Sequence, residues 1–157
     1  MNNGNNQEGI GIYFTDKLET TDTYGLNVIS AIINQDRFLN SPDTVDIIGV
    51  QQITKLLKAL WPSDEEAMFY WISDYIPLSV PEEVEEHHLE EFAGKVGSSE
   101  IRNFQIELAS NFGVENMVKA WNDILNIDGT YYPYIEGEIW YAIINPEIQV
   151  TVIKWEQ

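Results

Sequence analysis

An α+β fold is predicted by three observations along the 157 residues. Apolar side chains recur near every 3.6 residues through the middle of the chain, the period drops to 2 after Asp128-Gly129, and helix-start and helix-stop residues separate the periodic segments. The expected architecture is about six helices packed on a C-terminal three-stranded antiparallel meander, which an N-terminal strand is placed to join at an edge.

After Met1, residues 1–9 hold only Asn, Gln and Gly with one Glu, a composition with nothing to bury, and read as a disordered tail. Residues 10–157 then form a single globular domain, a length that buries about two-thirds of the unfolded chain's surface. Ile10-Gly11-Ile12-Tyr13-Phe14 is β-rich and bounded by polar residues, so it reads as a strand. Leu26, Ile29, Ile33 and Phe38, with Val28, Ile32 and Leu39 beside them, support a first helix from about Tyr24 to Leu39, ended by Ser41-Pro42-Asp43. Val50, Ile53, Leu56, Leu57 and Leu60 make the second, and Trp61-Pro62 closes it because the residue before proline is pushed out of the α region.

Ser63-Asp64-Glu65-Glu66 has the form of a capping box and opens a third helix, from Asp64 to about Ile76, whose apolar residues wrap most of its circumference. Ser79-Val80-Pro81-Glu82 repeats the box and opens the fourth, which ends near Gly94 or Gly97. Ile101, Phe104, Leu108 and Phe112 form the fifth, and after the stop at Gly113, Val114, Met117, Val118, Trp121 and Leu125 form the sixth. Three β-rich runs follow, Thr130 to Ile135, Glu138 to Ile144 and Ile148 to Trp155, joined at Glu136-Gly137 and Asn145-Pro146. Pro133 places the first run at a sheet edge. The middle run is apolar on both faces, so something must cover each, and helices are the simplest cover.

Charge sets the functional limits. Eight Lys plus Arg oppose 26 Asp plus Glu, a net charge of −18, which repels nucleic acid and anionic lipid alike. The chain has no cysteine, hence no disulfide, thiolate metal site or thiol nucleophile. Met1 to Gln7 shows neither a basic n-region nor an apolar h-region, and no apolar run reaches 18 residues, so the expected location is the cytoplasm.

From Trp61 to Glu91 there are ten acids (Asp64, Glu65, Glu66, Asp74, Glu82, Glu83, Glu85, Glu86, Glu90 and Glu91) and no Lys or Arg. On a continuous fourth helix Glu82, Glu86 and Glu90 fall at i, i+4, i+8, a ladder of carboxylates about 6 Å apart, with Glu83, His87 and Glu91 as the neighbouring row. Such a ladder either solvates the surface or meets a basic partner, steered by complementary potentials. A binding surface also needs desolvated anchors, and Trp61 and Tyr70 are the candidates beside the acids. The expected partner-binding set is therefore Glu82, Glu83, Glu86, Glu90, Glu91, Asp64, Glu65, Trp61 and Tyr70.

Catalytic and metal signatures are absent. Glu85 and His88 match one Glu-x-x-His element of a carboxylate-bridged metal bundle, but a second element is needed and His87 is the only other histidine. Gly94-Lys95-Val96-Gly97-Ser98-Ser99 has its lysine before the second glycine and follows a helix, so it is a helix stop and not a phosphate loop. No cofactor, metal or catalytic residue is expected. The function expected from the sequence is that of a small acidic non-enzymatic binding protein, first an immunity-type inhibitor masking a basic surface of a nuclease-like toxin. The alternatives are a nucleic-acid-mimic inhibitor of restriction or CRISPR-type defence, and a generic acidic adaptor.

Overall fold

The computed structural model describes residues 12–15, 28–32, 35–133, 139–143 and 151–156. The chain divides into two compact units: unit 1 comprises Met1–Pro42 and Ile127–Gln157, and unit 2 comprises Asp43–Asn126. The tail 1–9 and the Glu136-Gly137 and Asn145-Pro146 connections lie outside the described residues.

Unit 1 contains β1 (Ile12–Thr15), β2 (Val28–Ile32), a 3-10 turn (Gln35–Arg37), β3 (Phe38–Asn40), β4 (Gly129–Pro133), β5 (Ile139–Ile143) and β6 (Thr151–Glu156). Four strands form one sheet in the order β1-β5-β4-β3, and β2 pairs with β6 in a second. In the first sheet β1 and β4 run antiparallel to β5, with Tyr13 opposite Ala142 and Tyr131 opposite Tyr141, whereas β3 runs parallel to β4 from Phe38 and Gly129 onward.

This arrangement overturns the expected fold of six helices on a three-stranded antiparallel meander. Of the three C-terminal runs only β4 and β5 are neighbours, and β6 pairs with β2 instead. Seven residues, 144–150, separate β5 from β6, more than the two-residue loop that enforces hairpin pairing, so β6 is free to find another strand. The expected first helix, Tyr24 to Leu39, is also overturned: it is replaced by β2, the 3-10 turn and β3. Val28, Ile29 and Ile32 are β-branched and lose side-chain freedom in a helix, so their near-helical spacing is outweighed by their fit to a strand. The chain thus has five α-helices rather than six among the described residues.

The edge position expected for β4 is corrected as well, because β4 lies between β5 and β3. Pro133 is the last residue of the strand, beyond the ladder with β3 that ends at Tyr131, so its missing N–H removes no bond from that pairing. On β5, Ala142 is buried and Ile139 half-buried, while the side chains of Trp140, Tyr141 and Ile143 lie outside the described residues.

The parallel pair β3–β4 is held by three local features. Arg37 pairs with Asp128 through Nε to Oδ2, and its Nη2 donates to Oδ1 at 3.2 Å. The Asp128 N–H donates to the Arg37 carbonyl at 2.8 Å, and the Ser41 N–H to the Tyr131 carbonyl at 2.8 Å. Gly129 follows where a Cβ would run into the Ala142 carbonyl oxygen and stand 2.7 Å from the Phe38 ring. Asp128 is 1% exposed, and burial pushes its carboxyl above the ordinary range more than Arg37 draws it back.

Unit 2 is helical: α1 (Val50–Leu60), α2 (Glu65–Ser73), α3 (Glu86–Lys95), α4 (Ile101–Phe112) and α5 (Val114–Ala120), the last continuing into a wide π turn at Trp121–Leu125. α1 buries Ile53, Leu56, Leu57 and Leu60 on one stripe and turns Lys55 and Lys58 to solvent, the pattern of a helix lying on a core. Gly113, at φ 90°, ends α4 and begins α5, a backbone state that a side chain resists. The core is aromatic: the Trp71 ring lies 4.7 Å from Phe92, 5.9 Å from Phe104 and 6.0 Å from Phe112, with Trp121 fully buried against Phe104. Among the described residues no helix is long and apolar enough to cross a membrane.

Because Asp128 is buried and Arg37 supplies its counter-charge, Arg37→Met leaves a carboxylate enclosed with no compensating charge. The expected loss is about 3 kcal/mol of stability at neutral pH, measured by urea unfolding. A loss below about 1 kcal/mol would show that Asp128 does not depend on the guanidinium.

Candidate functional site

The ten acids between Trp61 and Glu91 all lie on the surface of unit 2. Their roles differ, because the helix starts sit elsewhere than the sequence pattern suggests. At α2 the cap is Asp64, not Ser63: its carboxylate accepts the Ala67 N–H at 2.9 Å, while Ser63 Oγ turns back and donates to the Leu60 carbonyl at 2.6 Å. Pro62 favours a tight 3-10 turn over Trp61–Ser63, so the helix proper begins one residue later. Glu65 and Glu66 occupy the first turn, where unpaired backbone N–H groups favour negative charge.

The continuous fourth helix expected from Pro81 does not form. Pro81–Glu83 is a 3-10 turn, Val84 is extended and buried, and α3 starts only at Glu86. Two local caps enforce the break. Glu83 Oε1 accepts the N–H groups of Ser79 (3.0 Å) and Val80 (3.1 Å), and His88 Nδ1 accepts the Glu85 N–H at 2.9 Å. Glu82 and Glu83 therefore leave the ladder, and the rows shorten to Glu86 with Glu90 and His87 with Glu91. His88 spends its Nδ1 on the cap, which makes it a structural residue. Among the described residues no group of three or more His, Asp or Glu side chains is arranged to hold a metal ion.

Sequence spacing also leaves this segment without a cation, yet the fold brings one in: Lys58 of α1 reaches Glu86 at 3.2 Å. His87 lies 3.3 Å from Glu85. Glu65, Glu66, Glu82, Glu90 and Glu91 have no ion pair or side-chain hydrogen bond among the described residues. Of the two expected anchors, Tyr70 is 59% exposed with its ring edge-on to Phe69, and Trp61 is half-buried.

One cluster escaped the sequence reading. Asp74 follows the last residue of α2 and Glu107 lies mid-way along α4, far apart in sequence but close enough in unit 2 to repel. Burial first, and the Asp74 charge second, hold the Glu107 carboxyl above the ordinary range. Tyr75 beside them is raised by burial first, then by Glu107 and Asp74. An acid at a helix C-terminus is electrostatically misplaced, which was the one available signal at Asp74; nothing in the sequence marks Glu107 as its neighbour.

For Glu107 the folded state has the higher pKa, so its ionisation opposes folding. The penalty is absent below the unfolded carboxylate range, grows as pH rises through the raised folded value, and is complete at neutral pH. Glu107→Gln should therefore be more stable than the parent at pH 7, with the advantage vanishing towards pH 4, as thermal unfolding across pH would show. No protein-family model matches this chain, nor does any curated protein or solved structure.

Proposed function

We propose that this protein is a small, acidic, non-enzymatic binding protein that acts in the cytoplasm as an immunity-type inhibitor, laying the acidic face of unit 2 over a basic surface of a nuclease-like toxin. The reading is supported chiefly by exposed carboxylates of unit 2, among them Glu65, Glu66, Glu82, Glu90 and Glu91, that engage no cation among the described residues. Unpaired charge of one sign steers a basic partner from a distance, and an aromatic side chain beside it then supplies the desolvated contact that holds the complex. Tyr70 is placed for that role, with Trp61 as its partly exposed companion.

The break before α3 bears on the alternative of a nucleic-acid mimic. Imitation of a phosphate backbone calls for a long, even row of negative charges. Here the row stops at two residues, Glu86 and Glu90, and Glu86 is already paired with Lys58. An irregular acidic face with an aromatic anchor suits one shaped protein surface better than a generic groove.

The test is capture of partners from the source cell's lysate with the tagged full chain at low and high salt, followed by binding kinetics with the captured protein. The expected result is one basic partner retained at high salt. The variant carrying Glu65→Gln, Glu66→Gln, Glu90→Gln and Glu91→Gln should then associate about tenfold more slowly at low salt, with a flatter salt dependence and a smaller change in off-rate. Unchanged association of that variant, an empty capture, or a spread of DNA-handling proteins lost together at high salt would each overturn the proposal.

A further inference from the structure

We propose that Glu66, Tyr70 and Asp74 form a receptor for one arginine side chain of the partner, the guanidinium lying on the Tyr70 ring and pairing with the carboxylates a turn to either side. The proposal rests on the binding role just argued and names the chemistry that the partner must present.

The three residues fall at i, i+4 and i+8, and Asp74 keeps helical dihedrals (φ −67°, ψ −21°), so the row continues through the end of α2. At the helical rise each stands about 6 Å from the next along the axis, so Glu66 and Asp74 lie about 12 Å apart with Tyr70 midway, and both carboxylates must lean towards the ring to share one guanidinium. The positions three residues before and after Tyr70 are Ala67 and Ser73, both small. Ser73 Oγ turns back to donate to the Tyr70 carbonyl at 2.8 Å, so neither neighbour extends across the ring. Phe69 meets Tyr70 in a T-shaped contact at 5.1 Å, which orients the phenol while leaving it 59% exposed.

Charge selects the occupant. No Lys or Arg occurs between Lys58 and Lys95, and neither the Glu66 nor the Asp74 carboxylate has an ion pair or hydrogen bond among the described residues. A second copy of the chain would bring another −18 charges, and a phosphate or anionic lipid would meet the same repulsion. A cation is the complementary ligand, and arginine suits the row better than lysine. Its planar guanidinium stacks on an aromatic face and still presents donors at its edge to carboxylates on both sides. The neighbouring Glu107, which faces Asp74, adds a further negative charge at one end of the row.

The test is an NMR titration of the full chain with the peptide acetyl-Gly-Ser-Arg-Gly-Arg-Ser-Gly-amide, its lysine counterpart and its neutral citrulline counterpart. The arginine peptide should shift the amides of Glu66, Tyr70 and Asp74, the lysine peptide should bind more weakly, and the citrulline peptide should not bind. Tyr70→Phe keeps the ring and should bind within about twofold of the parent, whereas Tyr70→Leu and the pair Glu66→Gln with Asp74→Asn should each lose about tenfold. Tyr70 is exposed, so a dispersed spectrum for Tyr70→Leu excludes unfolding as the cause of weaker binding. Equal binding by Tyr70→Leu, shifts spread evenly over acids such as Glu90 and Glu91, or no binding by the parent would overturn the proposal. The two proposals fail separately: a captured basic partner held equally well by Tyr70→Leu removes the arginine receptor alone, and an empty capture removes the inhibitor reading.

Discussion

The Arg37–Asp128 pair is the constraint around which unit 1 is organised. A carboxylate as enclosed as Asp128 is tolerable only with a matched donor, and Arg37 meets it with two nitrogens while its backbone carbonyl accepts the Asp128 N–H. The same contact sets the register of β3 on β4. A slip of one residue would move Arg37 off Asp128 and bring a side chain into the slot that Gly129 leaves empty against Phe38 and Ala142. The sequence leaves unit 1 after Pro42 and returns at Ile127, so these bonds sit just inside both crossing points. A parallel pair formed across the 88 residues from 41 to 128 has no turn to fix its alignment, and the buried ion pair supplies that alignment instead.

Unit 2 handles its charge by a different route. Asp64 caps α2, Glu83 closes the turn before α3, and Glu65 and Glu66 fill a first helical turn where backbone N–H groups are unpaired. Glu86 takes the nearby lysine. Acids at helix starts thus serve folding and solvation together, which explains how a segment with ten of them and no cation of its own still adopts regular structure. Beneath them the Trp71, Phe92 and Phe104 cluster supplies apolar burial that surface repulsion does not offset.

What could be read from sequence follows the range of the forces involved. α1, α4 and α5 were legible because Ile53, Leu57 and Leu60, or Phe104, Leu108 and Phe112, bury one stripe with clear stops at Pro62 and Gly113. β4 and β5 were legible from their β-rich residues, and their antiparallel pairing from their closeness in the chain, but the pairing of β4 with β3 and of β6 with β2 was not, since it depends on strands far away in the chain. The Tyr24 to Leu39 segment misled because isoleucine and valine satisfy helical spacing and strand preference at once, and tertiary pairing with β6 decided between them. The carboxylate ladder failed for a local reason: His88 and Glu83 can both accept backbone N–H groups, and two caps five residues apart divide what looks like one helix. Tyr70 stood out as an anchor only because α2 has more aromatic residues than one buried face can hold.

Asp74 and Glu107 carry charge that neither caps a helix nor meets a cation among the described residues. Asp74 stands at the helix end where negative charge is disfavoured, and Glu107, partly withdrawn from water, faces it from α4. A neutral amide at position 107 would keep the shape and remove the repulsion, so packing does not require the charge. Ionisation of Glu107 opposes folding in the isolated chain. Under the proposed reading the repulsion becomes binding energy, because an arriving cation relieves it as well as forming its own pair. Stability and affinity then pull in opposite directions at this end of α2, whereas at the Arg37–Asp128 pair the counter-charge is already built in and charge serves the fold alone.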